Sequence, residues 1–375
     1  MRRNTNRSTT GRAGRRATVA LRAAVAAGAV TALLPAAASA EPAAVAGVVP
    51  GLAAGVERIS VAPDDAEADD NSAGASITPD GRHIVFTSSA RNLTPDGTTG
   101  SDRVYIRDQQ TRQTTRMGNL TALQPPVISD DGEYVAYPVQ WVNNVRIRQY
   151  QVSTGRTASA DCSAYSCNQP SLSADGRHIA LAILKQQSSS QRIEVQDAKT
   201  GAKETVADLA HTAPSRPSIS GDGRYVAYQD GRTRDVFVRD RTGGTTSGPV
   251  EGPSAAATLV QLSKDGNTVV YLSGTDTYVH DLRSGTAELV PNVRGVAVDP
   301  TGRYLLYAPQ DATGPSLVLR DLRTGTEEIV STRPASAGTD AVGADGRDVV
   351  FASTADDIVP GDTNGKSDVF VRHFF

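Results

Sequence analysis

A short phrase returns seven times along the chain and limits what it can fold into: a small polar residue, one spacer, Asp-Gly, two further residues, then three apolar ones. It reads TPDGRHIVF, SDDGEYVAY, SADGRHIAL, SGDGRYVAY, SKDGNTVVY, DPTGRYLLY and finally GADGRDVVF. The turn glycines are Gly81, Gly132, Gly176, Gly223, Gly266, Gly302 and Gly346, spaced by 51, 44, 47, 43, 36 and 44 residues. A period near 40–50 residues is that of a four-stranded unit that cannot bury its faces alone, and it is too long and irregular for a solenoid with one short strand per repeat.

Each Asp-Gly, or Thr301-Gly302 in the sixth copy, supplies the positive backbone dihedral of a tight hairpin. The strand that follows is apolar without alternation, as in Ile84-Val85-Phe86 and Val349-Val350-Phe351, so both of its faces must be covered. Sheets packed radially against neighbours on either side meet that need. A third, better alternating strand follows, as in RVYIRD, DVFVRD and LVLRD. A Thr-Gly or Ser-Gly turn then leads to a polar fourth strand expected at the rim. The seventh unit stops after its third strand, while VERISVA (Val56 to Ala62) resembles a fourth strand without a unit of its own. The expected fold is all-β, a seven-bladed propeller of four-stranded antiparallel blades whose last blade is closed by the N-terminal strand, leaving no open edge.

The S-x-D-G-R-x-V-A-Y phrase and the continuation GDTNGKSDVFVR resemble the TolB-like, WD40-like propeller family over residues 56–375. The resemblance implies the fold and says little about activity, because related blades serve unrelated proteins. The α/β domain that accompanies the propeller in TolB has no counterpart in it, so an envelope-assembly role does not carry over.

Residues 1–40 hold seven arginines and no acid, followed by an Ala/Val/Leu run and the small-residue site Ala38, Ser39, Ala40. This is the pattern of a secretory signal peptide, with an apolar run too short to span a membrane. Export follows the general route or, given Arg15 and Arg16, the twin-arginine route. Residues 41–55 form an Ala/Gly/Pro linker. Without the signal the chain has 31 basic residues against 41 acidic ones, a net charge of −10, so nucleic acid is not an expected partner. The two cysteines, Cys162 and Cys167, are expected to form a local disulfide in an exported protein. A membrane-spanning segment is not expected, and the protein reads as a monomer.

Functional chemistry is expected on the face that carries the loops between second and third strands and the connections between blades. At the seam between the last and first blades three acidic segments should meet: Asp64, Asp65, Glu67, Asp69 and Asp70; Asp96 and Asp102; and Asp356, Asp357, Asp362 and Asp368. Asp362, Asn364 and Asp368 stand at positions one, three and seven of a Gly-containing loop, a spacing that suits calcium, although the same residues also make a plain solvated turn. Trp141, the only tryptophan, and Tyr165, between the cysteines, are candidates for stacking on a sugar or for a protein contact, or simply for loop packing. The recurring Arg-Asp pairs, such as Arg107-Asp108, are read as turn formers with each arginine facing outward.

The five histidines are dispersed, and a nucleophile elbow is absent. The leading expectation is therefore a non-catalytic module with no required cofactor, binding a protein or cell-envelope component at the loop face. The alternatives are a calcium-assisted or carboxylate-based polysaccharide lyase or hydrolase at the channel mouth, and a structural scaffold.

Overall fold

A computed structural model describes residues 55–374 except 98–99, 163–164, 185–190, 209–212, 255 and 312. The expected signal peptide, all of the linker but Gly55, and His211 lie outside the described residues.

Seven four-stranded antiparallel sheets follow one another along the chain. Blade 1 is built from Ser72–Ile77, His83–Ser88, Arg103–Asp108 and Gln113–Arg116. In blade 7, Ala335–Ser336, Asp348–Ser353 and Asp368–His373 are completed by Val56–Arg58, which pairs antiparallel with the last strand in the register Val56 to Arg372 and Arg58 to Phe370. The N-terminal strand therefore closes the ring, as the orphan VERISVA segment predicts. The seven-bladed propeller architecture expected from the repeats is the observed one.

Burial follows the hydrophobic pattern. The second strand of blade 7 is buried at all six positions, whereas the fourth strand of blade 4, Thr245–Val250, is exposed at all but its last. The core lies between blades rather than within them: Val85, Val104 and Ile106 of blade 1 pack against Ile128, Val135, Tyr137 and Val139 of blade 2. Each such side chain, fully buried, contributes about 1.5–3 kcal/mol.

The hairpin turns also interlock. The residue two after each turn glycine leans over the turn glycine of the next blade, so a Cβ added at Gly176 would stand 2.5 Å from the Tyr134 ring, and one at Gly81 would stand 2.2 Å from Asp348 Oδ2. The second contact joins blade 7 to blade 1. Glycine is needed here for the close approach as well as for φ values of 62° and 75°. Backbone bonds tie the same turns around the axis, with Ala174 N donating to Gly221 O and Gly221 N to Lys264 O. The recurring Asp108, Asp197, Asp240 and Asp321 start the next turn by accepting backbone amides, as read from the sequence. Their ion-pair partners are the arginines of the Asp-Gly-Arg phrases, Arg82, Arg177, Arg224 and Arg303. Arg107, expected to face outward, is instead 1% exposed.

Candidate active site in the channel

The first strands of the blades line the axis. In blades 3 and 4 these strands are interrupted by bulges between Asn168 and Ser171 and between Ser215 and Ser218. Within them Gln169 and Arg216 adopt left-handed φ values of 53° although each precedes a proline, Pro170 and Pro217. The residue before proline favours extended backbone, so each such position costs about 1–3 kcal/mol. Bulges re-aim side chains, and Gln169 and Arg216 both line a cavity of ≈ 420 Å³ on the axis.

Gln124, Ser171, Ser218, Gln261, Thr339 and Asp340 complete the polar lining of that cavity. Bonds between neighbouring first strands position these groups: Gln169 N donates to Gln124 Oε1 at 3.4 Å, and Arg216 N donates to Gln169 Oε1 at 2.9 Å. Arg216 is exposed, and its guanidinium has no hydrogen-bond or ion-pair partner among the described residues.

Below, the channel is bolted shut. Gln261 Nε2 donates to Asp340 Oδ1 at 2.9 Å, and Lys264 Nζ reaches Asp340 Oδ1 at 3.6 Å, Asp130 Oδ1 at 3.5 Å and the carbonyl of Leu172 at 3.2 Å. Around Asp130 and Lys264 the cavity narrows to ≈ 10 Å³, room for about a single water. Burial works against the Lys264 charge, but Asp340 and Asp130 outweigh it and hold the ammonium above its ordinary range. Burial pushes the Asp130 carboxyl up against the pull of Lys264. Only Oδ1 of Asp340 is taken by these contacts, which leaves Oδ2 for the cavity. A roomier depression of ≈ 620 Å³ on the hairpin side, between Gln149 and Lys199, lacks this convergence of groups from several blades.

The acidic seam is a different construction. Arg58 of the closing strand lies 3.1 Å from Glu67, 3.4 Å from Asp362 and 3.9 Å from Asp368. Asp368 accepts Ser60 Oγ at 2.5 Å and Asn364 Nδ2 at 3.1 Å, while Asn364 Oδ1 accepts the amide of Lys366. Burial raises both Asp362 and Asp368 in spite of Arg58. For Glu67, burial is outweighed by the Thr363 amide and Arg58, and its carboxyl is lowered. The oxygens that would hold calcium thus face a guanidinium and N–H or O–H donors, a set that fits an internal cation and not a metal ion.

The other acidic candidates are engaged separately: Asp64 with its own turn, Asp65 with Arg112 and Arg107, Asp69 with the Arg91 amide, Asp70 with Lys366, Asp96 with Arg116, Asp102 with Ser89 and Asp357 with Arg333. Asp356 contributes only repulsion to Asp362. Among the described residues, three or more His, Cys, Asp or Glu side chains never gather in a metal-holding group. The channel donors fit a divalent ion no better, because Arg216 and Lys264 stand among them. Cys162 and Cys167 are bonded to each other. Tyr165 receives the Arg192 guanidinium over its ring at 5.3 Å, and Trp141 is 44% exposed at the end of a blade 2 strand.

Gln124, Asp130, Gln169, Arg216, Gln261, Lys264 and Asp340 are missing from the sequence reading. The available signal was a proline at one fixed place in three successive repeats, Pro126, Pro170 and Pro217, with Gln169 or Arg216 before two of them.

This fold and channel define a seven-bladed β-propeller protein with a polar pocket on its axis. No protein-family model matches the chain, and no curated protein does. Among solved structures, it is similar to an oligogalacturonate lyase in complex with manganese, with TM-score 0.63, 14% identity, and 85% of this chain and 93% of the other covered. An oligogalacturonate lyase from Vibrio parahaemolyticus matches with TM-score 0.63 and 13% identity over the same shares. TolB from Acinetobacter baumannii matches with TM-score 0.48 and 15% identity, covering 69% of this chain and 62% of the other. At these identities the likeness is one of fold. The leading expectation of a non-catalytic binding module is nevertheless corrected by the two likenesses that cover 85% of the chain, both of them to lyases. Among the described residues no helix is long and apolar enough to cross a membrane.

Proposed function

We propose that the channel pocket binds a uronate-containing polysaccharide and cleaves it by elimination, using a carboxylate and no metal. One observation carries the reading: an unpartnered Arg216 and the Asp340 carboxylate line the same axial cavity. A guanidinium matches a sugar carboxylate with two parallel hydrogen bonds, and neutralising that carboxylate acidifies the adjacent C5–H. Asp340 accepts the C5 proton, a C4–C5 double bond forms, and the C4–O bond breaks with its electron pair leaving on oxygen, which takes a proton from water. Gln124 and Gln169, whose side-chain NH2 groups make no hydrogen bond among the described residues, offer amides for the ring hydroxyls, while Gln261 holds Asp340 in place.

Elimination is favoured over hydrolysis because hydrolysis calls for two carboxylates about 5–9.5 Å apart across the bond. Asp340 is the single carboxylate lining the cavity among the described residues, and Asp130 lies in the constricted region beneath. The oligogalacturonate lyases of similar fold support the substrate class. A site for extracellular glycan agrees with residues 1–40 acting as an export signal and with the disulfide, which suits an oxidising compartment.

The test is a panel of polyuronates and neutral glycans, read by the ultraviolet absorbance of unsaturated uronate ends. Absorbance growth on polyuronates alone supports the reading. New reducing ends without absorbance would mean hydrolysis, and no product on any of them would remove the proposal.

A further inference from the structure

Blade 2 carries a feature that the channel does not explain. Its second and third strands, Tyr134–Trp141 and Asn144–Gln151, are eight residues each, longer than the five to seven of the corresponding strands in the other blades. They are paired through to the tip, Trp141 opposite Asn144. Gln140 Nε2 stiffens that tip by donating to the carbonyls of Val142 and Asn144 at 3.1 and 3.3 Å. On it stand large exposed apolar residues, Trp141 at 44% and Val142 at 83%, with Leu123 at 46% beside the same strand. Exposed Trp on a rigid hairpin is costly surface for a soluble domain and a good stacking platform.

The platform has a polar side. Asn144 and Arg146 share the hairpin face of Trp141, because Val139 pairs with Arg146 and residues two apart on a strand point the same way. Diagonal neighbours of this kind lie about 7–8 Å apart, within reach of long side chains. Asn144 Oδ1 and Arg146 Nε are buried without a hydrogen-bond partner, so the Asn144 Nδ2 and Arg146 Nη groups are the ones left to meet a ligand, and Arg146 makes no ion pair among the described residues.

The platform is also continuous with the channel. Leu123 N donates to Pro138 O at 2.9 Å, three residues before Trp141, and the next residue along, Gln124, lines the axial cavity. A chain leaving the cavity past Gln124 therefore runs onto Leu123 and then Trp141.

We infer that Trp141, Asn144 and Arg146 form an outlying subsite for a uronate ring, resting on the channel function proposed above. Trp141 stacks on the apolar face of the sugar, Arg146 pairs with its carboxylate and Asn144 bonds a hydroxyl. The subsite makes the protein a reader of polymer length: short oligomers fill the channel only, and longer ones span both positions.

Trp141 is the sole tryptophan, so its fluorescence reports this site alone. The full chain is titrated with oligogalacturonates of increasing length and with neutral oligosaccharides of the same lengths. Quenching or a blue shift by the longer uronates, absent with neutral ones, is expected. Arg146→Gln should weaken that binding about tenfold, the loss of one charge-assisted pair. Trp141→Ala should raise KM for long oligomers about tenfold without changing kcat on short ones, while the melting temperature stays put. Unchanged fluorescence at saturating polymer, or Trp141→Ala kinetics equal to wild type at every length, overturns the subsite. The channel reading stands or falls separately on turnover, since fluorescence binding needs no catalysis.

Discussion

Gln261 donates its side-chain amide to the Asp340 carboxylate at 2.9 Å, joining blade 5 to blade 7 across the axis and over 79 residues of chain. Neighbouring blades already share packed cores, so this bond and the Lys264 bridge from Asp340 to Asp130 of blade 2 do something else. They set a floor in the channel and fix the carboxylate that faces the cavity above.

Removing the cation of that floor leaves two carboxylates facing each other without compensation. Lys264→Met is expected to cost about 3–5 kcal/mol of unfolding free energy, as for a broken buried pair. Urea denaturation measures it. Adding Asp130→Asn to the same chain should recover part of the loss, and an unchanged midpoint in the single variant would mean that Lys264 is not needed.

Acid should unfold the protein through its hairpin carboxylates. Arg82 holds Asp108 down to about 2, and Arg177, Arg224 and Arg303 hold Asp197, Asp240 and Asp321 well below the usual range. A carboxylate lowered in the folded state stabilises it above the unfolded pKa of about 3.9 and loses that contribution as pH falls toward the folded value. Burial raises Asp130, Asp362 and Asp368, which act in the opposite sense and favour the folded state more as they protonate. Melting temperature should fall between pH 4 and pH 2, and replacing all four arginines by glutamine should flatten that slope. A slope unaltered in the quadruple variant would locate acid sensitivity elsewhere.

At the seam Arg58 stands among Glu67, Asp362 and Asp368, where calcium was one of two readings of the loop. Chelator and added calcium should leave the wild-type melting temperature unchanged. Arg58→Met should lower it, because Glu67, Asp362 and Asp368 then surround no positive charge. Turnover per folded molecule should stay the same, since Arg58 lies on the outermost strand of blade 7 while Arg216 and Asp340 line the axial cavity. Calcium-dependent stabilisation would show that the carboxylates hold metal after all.

The architecture was legible because each repeat states its own turn. Asp-Gly fixes a hairpin locally, and three unbroken apolar residues after it demand cover on both faces; neither needs knowledge of the rest of the chain. The orphan VERISVA segment even announced the closure. The channel was not legible in the same way. Gln169 and Arg216 turn inward because a bulge puts them in left-handed backbone before proline, against their own local preference. Lys264 and Asp130 hold the same spacer position of their repeats, but they pair only because the hairpins converge on an axis, which a local reading does not show. At the seam the loop was legible as either a turn or a calcium loop, whereas Arg58, some 300 residues away from Asp362 and Asp368, was not legible as their partner.

The most direct test of the channel as an elimination site is initial rate on polygalacturonate for wild type and for Arg216→Gln, each with its melting temperature. The account predicts unsaturated product from the wild type and a loss of at least about a hundredfold in kcat/KM for the variant, matching loss of a charge-assisted bidentate contact of about 3 kcal/mol. The variant's melting temperature should be the same or higher, since a strained left-handed arginine contributes no partner bond through its guanidinium. Wild-type turnover that survives Arg216→Gln unchanged would contradict the central claim.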